Sequence, residues 1–153
     1  MKIIQKNFEK YLKENYIFEK HPTIAVAVSG GPDSMCLLFL LNNWIKKKKG
    51  SLIALIIDHQ LRQESNIEAN YIKDYLSSFN ILTKIIKIKK KDIKKKTMSE
   101  ARENRFDCLL NYCKKKNILH LFLGHHLDDN LETFLIRKIG GSNFEGLRCI
   151  QNK

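Results

Sequence analysis

The sequence predicts an α/β fold, an open and mainly parallel sheet with helices on both of its faces. Three observations carry that expectation. Segments with helical apolar spacing alternate along the chain with short apolar runs, and such alternation implies parallel strands joined by right-handed helical crossovers. Two of those runs, residues 23–28 and 51–58, are continuous and rich in branched side chains, the pattern of strands buried on both faces. The 153 residues suit one domain, 1–153, because compact domains cluster at roughly 100–150 residues. No internal repeat or interdomain linker interrupts them.

Each element has its own reason. Ile4, Phe8, Tyr11 and Leu12 recur at helical spacing, and with the cluster Tyr16 to Phe18 they predict an amphipathic helix over about 2–18, which His21-Pro22 breaks. Strand 23–28 ends in Ser29-Gly30-Gly31-Pro32-Asp33-Ser34, after which 35–44 reads as a buried helix. Strand 51–58 leads through a polar turn into a helix over about 65–79. A third strand, 81–88, is interrupted by Lys84 and Lys87, and the lysine-rich segment after it reads as a solvated loop. A helix over about 99–116, a strand over 118–124 and a helix over about 128–139 complete the series.

Composition excludes several classes. Apolar residues make up 43%, so wholesale disorder is ruled out. No apolar run approaches the roughly 18 residues of a membrane span, which leaves the membrane out of the expected partners. Residues 1–20 scatter charges through their apolar positions where a secretory leader needs an unbroken apolar stretch, so a cytoplasmic location is expected. Cys36, Cys108, Cys113 and Cys149 form no C-x-x-C pair, which favours thiols in a reducing compartment over a disulfide or structural metal. The formal net charge is +12, with 28 Lys+Arg against 16 Asp+Glu. Residues 84–96 hold eight lysines, 46–49 four and 114–116 three. Such runs attract polyanions in a salt-dependent way, although a coding bias that also favours Ile and Asn produces lysine without any function.

Chemistry is expected at the carboxyl ends of the strands, near the point where strand order reverses. Three polar clusters fall there. In the first, the adjacent Gly30 and Gly31 let the backbone turn tightly and bring N–H groups against an anion, Pro32 suits a first helical turn, and the helix start adds a positive dipole end. Ser29, Gly30, Gly31 and Ser34 then form a phosphate cradle, and Asp33 beside bare phosphate calls for an intervening cation such as Mg²⁺. The plainer alternative is a turn with an Asp/Ser cap. Neither G-x-x-x-x-G-K-[ST] nor G-x-G-x-x-G is present. The second cluster is Asp58-His59-Gln60-Leu61-Arg62. The third is His125-His126-Leu127-Asp128-Asp129-Asn130-Leu131-Glu132-Thr133, in which His125, Asp129 and Glu132 share a helix face. Zinc is a rival occupant of that third cluster, but carboxylates dominate and thiolates are lacking, which favours a harder ion.

The Ser-Gly-Gly-x-Asp-Ser loop resembles the pyrophosphate loop of the N-type ATP pyrophosphatases, which adenylate a substrate and release pyrophosphate. Together with Asp58-His-x-Leu-Arg62, Ala101-Arg102-x-x-Arg105-Phe106 and Leu123-Gly-His-His-x-Asp-Asp-x-x-Glu-Thr133, it looks like the amino-terminal catalytic domain of the tRNA(Ile)-lysidine synthetases, over about residues 20–148. The resemblance implies a Rossmann-like fold of the adenine nucleotide alpha hydrolase type. It also implies a reaction in which ATP with Mg²⁺ adenylates the wobble cytidine of tRNA(Ile) bearing a CAU anticodon, after which free L-lysine displaces AMP. By position, Ser29, Gly30, Gly31, Asp33, Ser34 and Asp58 would bind ATP, with Asp33 also at the Mg²⁺. His125, Asp129 and Glu132 would line the adenylate and lysine site, and Arg102, with Arg105, would neutralise phosphate or tRNA charge. The roles of His59 and Arg62 stay open between site and strand-end contacts.

The sequence departs from the family where Gly140-Gly-Ser-Asn-Phe-Glu-Gly146-Leu147 stands for Arg-Gly-Ser-Gly-x-x-Gly-Leu, and where Asn130 replaces Gln. The chain is also expected to lack a last strand and the carboxy-terminal tRNA-binding domains. Two alternatives remain: a tRNA thiolation enzyme of the same superfamily, which would need paired cysteines, and a non-catalytic ATP- or RNA-binding remnant. A homodimer is compatible with each.

Overall fold

The computed structural model describes residues 2–58, 64–88 and 98–124, with side chains in the last segment from 104 onward. Four helices and four strands alternate over these residues: α1 (Lys2–Asn15), β1 (Thr23–Val28), α2 (Pro32–Lys47), β2 (Ser51–Asp58), α3 (Ser65–Ser77), β3 (Leu82–Lys87), α4 (Met98–Lys115) and β4 (His120–Leu123). The strands form one parallel sheet in the order β3-β2-β1-β4, so the expected α/β class and its parallel sheet are both observed. The expected helix at 128–139 lies outside the described residues.

Strand order follows from burial. β1 and β2 carry the unbroken apolar runs and take the centre, where Ile24, Ala25, Val26, Ala54 and Leu55 are wholly inaccessible. β3 mixes exposed and part-buried positions and forms one edge of the described sheet, with Lys84 and Lys87 both exposed, charges that protect an open edge from pairing with another chain. One face of the sheet buries Ile24, Val26, Val28, Ala54 and Ile56 against Leu12 of α1, Leu38, Leu41 and Trp44 of α2, and Ala69 and Leu76 of α3. The other face packs Ala25, Ile53 and Leu55 against Leu109 and Cys113 of α4. Among the described residues helices therefore cover both faces, three against one.

Several bounds differ from expectation for local reasons. α1 ends at Asn15, and Phe18 leaves the helix to pack between Trp44 and His120, with ring centroids 4.6 and 4.7 Å away. α2 begins at Pro32 rather than Met35, because its first turn is polar and carries no apolar signal. β4 is only His120–Leu123. Three helices close in the same way: the amides of Gly50, Ile81 and Ile118 donate to the carbonyls of Ile45, Leu76 and Cys113, around left-handed residues Lys49, Asn80 and Asn117. This six-to-one closure satisfies carbonyls that a helix end otherwise leaves open, and it turns each chain directly into the next strand.

Candidate functional site

Strand order reverses between β1 and β4, since α2 and α3 carry the chain outward to β3 and α4 returns it to the opposite side of β1. The carboxyl ends of β1 and β4 therefore form the switch point of the sheet. Residues 29–31 leave β1 there and enter α2. Gly30 has φ +85°, a left-handed conformation open to glycine, and a Cβ on it would lie 2.7 Å from Cδ1 of Ile72 on α3. Gly31 occupies the cap position in an extended conformation and has no side chain to compete for the helix-start amides.

The loop is fixed by a closed ring of hydrogen bonds. The Gly31 amide donates to Ser29 Oγ (3.4 Å), Ser29 and Ser34 hydroxyls meet at 3.2 Å, and Ser34 Oγ donates to the Gly31 carbonyl (3.0 Å). Because the Ser34 proton is used on that carbonyl, the Ser29 hydroxyl is the donor to Ser34 Oγ. Ser34 Oγ also accepts the Ser29 amide at 3.2 Å and is buried, so the residue closes the loop from inside. Gly124, just beyond β4, supplies the other wall. A Cβ there would stand 2.8 Å from Cα and 2.9 Å from N of Ser34, so only glycine lets the start of α2 sit this close to β4.

Asp58 ends β2 almost wholly buried, and its Oδ1 accepts the Ser65 hydroxyl at 2.7 Å. Its carbonyl accepts the Ile88 amide at 3.0 Å, so one residue fastens the ends of β2 and β3 to the start of α3. A cleft of about 250 Å³ opens among these strand ends, lined by Ser29 and Ser34 from the loop, Ser65 and Glu68 from α3, Arg105 from α4, and Gly124. Its walls are otherwise apolar, including Ala27, Leu55 and Leu123.

Of the residues singled out by sequence, Ser29, Gly30, Gly31, Asp33 and Ser34 lie at one strand end, and Asp58 lies at the neighbouring one. Arg105 lines the cleft, and Arg102 stands one turn before it on α4. His59, Arg62, His125, Asp129 and Glu132 lie outside the described residues. Sequence reasoning missed Glu68, Ser65, Ile72 and the close packing at Gly124. An acid in the first turn of α3 is the ordinary complement of a helix dipole, so nothing in its spacing marks Glu68 as a cleft residue. Asp33 is exposed beside the cradle, and its hard oxygen donors suit Mg²⁺.

A glycine loop entering a helix at the switch point of a parallel sheet, beside a cleft with polar side chains, defines an anion-binding α/β domain of the nucleotide-site type. The chain belongs to the PP-loop domain family, whose pattern matches residues 1–153. It is 39% identical over 144 residues to the tRNA(Ile)-lysidine synthase of Orientia tsutsugamushi, an alignment covering 94% of this chain and 33% of that protein. It is 42% identical over 132 residues to the tRNA(Ile)-lysidine synthase of Wolbachia pipientis, covering 85% and 31%. The chain thus spans about a third of the length of these curated relatives. Among solved structures, the U34-tRNA thiolase NcsA of Methanococcus maripaludis with its [4Fe-4S] cluster superposes with a TM-score of 0.73 at 21% identity, over 92% of this chain and 51% of that one, a likeness of fold. Family membership brings ATP binding with it.

Proposed function

We propose that the chain is the ATP-activating catalytic part of a tRNA(Ile)-lysidine synthetase. The observation that carries the reading is the Ser29–Ser34 ring pressed against Gly124 at the switch point, in a chain 39% identical to a protein of that name. The backbone amides at the start of α2 hold the pyrophosphate part of ATP, and Ser29 and Ser34 keep the loop in the one conformation that presents them. Asp33 would hold Mg²⁺, which when bound would neutralise phosphate charge. Arg105 faces the cleft as a permanent cation, suited to phosphate charge from ATP or RNA, and Arg102 joins it.

With ATP so held, the C2 oxygen of the wobble cytidine of tRNA(Ile) with a CAU anticodon attacks the α-phosphorus, and pyrophosphate leaves. The amine of free L-lysine then forms a bond to C2, gives up a proton, and AMP departs to leave lysidine. His125, Asp129 and Glu132 serve this second half, the acids pairing with the lysine ammonium. Asp58 positions α3 over the cleft through Ser65. Thiolation is less well supported, because Cys113 is buried in the core and burial raises its thiol pKa, the opposite of what a reactive thiolate needs. The reading implies a cytoplasmic protein, and a homodimer is compatible with it. Among the described residues no helix is long and apolar enough to cross a membrane.

Incubation with ATP, isotopically labelled lysine and a tRNA(Ile) transcript tests the reading. Label in the tRNA, with AMP and pyrophosphate released in step, is expected. Pyrophosphate release that requires tRNA but incorporates sulfur instead of lysine points to the thiolase. Nucleotide binding without turnover leaves a non-catalytic ATP-binding remnant.

A further inference from the structure

In a parallel α/β sheet every helix that precedes a strand ends at the pole opposite the strand carboxyl ends, so residues near the ends of α1, α2 and α4 collect far from the cleft. Lys10 and Lys13 lie near the end of α1, Lys20 follows it, residues 46–49 end α2, and residues 114–116 end α4. Ten of the fifteen lysines among the described residues therefore lie near or just after the ends of these three helices. The acids on α1 and just after it are already engaged. Glu9 holds Lys47 at 2.6 Å, Glu14 holds Lys10 at 3.8 Å, and Glu19 meets His120 at 2.7 Å. Among the described residues no ion pair involves Lys13, Lys20, Lys46, Lys48, Lys49 or the three lysines of 114–116.

The charge is not spread over a flat face. Between α1 and the end of α2 runs a groove of about 530 Å³, lined by Lys10, Lys13, Lys47 and Lys48 with Glu9, and walled by the rings of Tyr16, Phe18 and Trp44. Trp44 is buried and Tyr16 about half exposed, so aromatic surface borders the groove together with four lysines. The second lysine cluster adjoins it, because β4 begins at His120, whose ring packs 4.7 Å from Phe18. A narrow polyanion fits this arrangement. Phosphates track ammonium groups, and an unpaired base stacks on an open aromatic face.

We propose that this pole, on the far side of the sheet from the cleft, is a docking surface for the phosphate backbone of an RNA, with an unpaired segment in the groove between α1 and α2. Binding here requires neither ATP nor the site at the strand ends. The inference therefore stands apart from the lysidine reading and is tested without turnover.

The test uses fluorescence anisotropy of a labelled tRNA(Ile) transcript, without ATP, across a salt series. The triple variant K13Q/K46Q/K48Q is compared with K2Q/K6Q/K84Q, which removes the same charge away from the pole, and unchanged thermal unfolding establishes that both fold. The polar triple is expected to lower the log–log salt slope by about 2, at ~0.7 per lost phosphate contact, and to weaken binding at least about tenfold at 0.1 M salt. The control triple should move both much less. Equal losses in the two triples mean diffuse charge and overturn the proposal, as does an unchanged slope in the first. A parallel titration with phosphatidylserine vesicles addresses the rival surface. If K13Q/K46Q/K48Q loses vesicle binding and keeps tRNA binding, the pole faces lipid and the proposal fails.

Discussion

Replacing Gly124 by alanine should damage the nucleotide site by displacing its backbone, with no nucleotide-contacting side chain removed. The added Cβ would lie 2.8 Å from Ser34 Cα and 2.9 Å from Ser34 N, both backbone atoms that no rotamer change can clear. Ordinary contact begins near 3.4 Å, so the first turn of α2 must retreat by about 0.6 Å. Overpacking of this kind costs about 1–3 kcal/mol, and for a chain of this size each kcal/mol lowers the unfolding temperature by roughly 2–4 °C. The same retreat stretches an amide-to-phosphate hydrogen bond from about 2.9 to about 3.5 Å, beyond useful length. Loss of one charge-assisted bond, about 1.5–3 kcal/mol, weakens ATP binding by about tenfold to a hundredfold. Differential scanning fluorimetry gives the stability change, and calorimetric titration with ATP and Mg²⁺ gives the affinity. Gly31→Ala is the stability control, because its Cβ would meet only Ser29 Oγ at 3.5 Å with an extended backbone, and a change of about 1 kcal/mol or less is expected. If Gly124→Ala unfolds and binds ATP like the parent, the start of α2 is not held by β4 and the account of the cradle is wrong.

Other outcomes follow from the same packing. Gly50→Ala would drive a Cβ into the Pro22 carbonyl and against Ile45, breaking the 2.9 Å bond from the Ser51 amide to Pro22, so urea unfolding should show a loss of about 1–3 kcal/mol. Cys36 is exposed, whereas Cys113 is buried with its thiol pKa pushed above the ordinary 9.0 by desolvation, so maleimide at pH 7 should label Cys36 and spare Cys113 until the protein unfolds. The hydrogen bond from Lys47 holds the Glu9 carboxyl below its ordinary 4.5, ahead of the opposing effect of burial. A lowered folded pKa stabilises above pH 4.5 and is lost as pH falls through the folded value, so unfolding temperature should drop less steeply below pH 4.5 in Lys47→Met than in the parent.

The sequence shows most plainly what repeats or runs unbroken. Residues 23–28 and 51–58 read as buried strands because every position of the first and every position between Ser51 and Asp58 of the second is apolar or branched, and both strands have those bounds. Periodicity failed where an element begins in polar residues that serve the site: Pro32, Asp33 and Ser34 belong to α2 yet show no apolar face. It also failed where aromatic residues continue a helical rhythm after the helix has stopped, as Tyr16 and Phe18 do in packing across to β4. The glycine loop and Asp58 were legible at the site because their residue types are informative by themselves. Glu68, Ser65 and Ile72 were not, since only the folding of α3 over the strand ends brings them to the cleft and to Gly30. The left-handed ends at Lys49, Asn80 and Asn117 were hidden in the same way, lysine giving no hint of positive φ.

β1 is hydrogen-bonded along both edges, to six residues of β2 and four of β4, and the loop at 29–31 is its direct continuation. Amide exchange in such a strand needs the two neighbouring strands to part, an opening close in free energy to complete unfolding. Edge strand β3, paired on one side alone among the described residues, can open by itself. Small excursions of the molecule therefore leave the base of the phosphate loop in place, and the amides of β1 should be among the last to exchange with solvent.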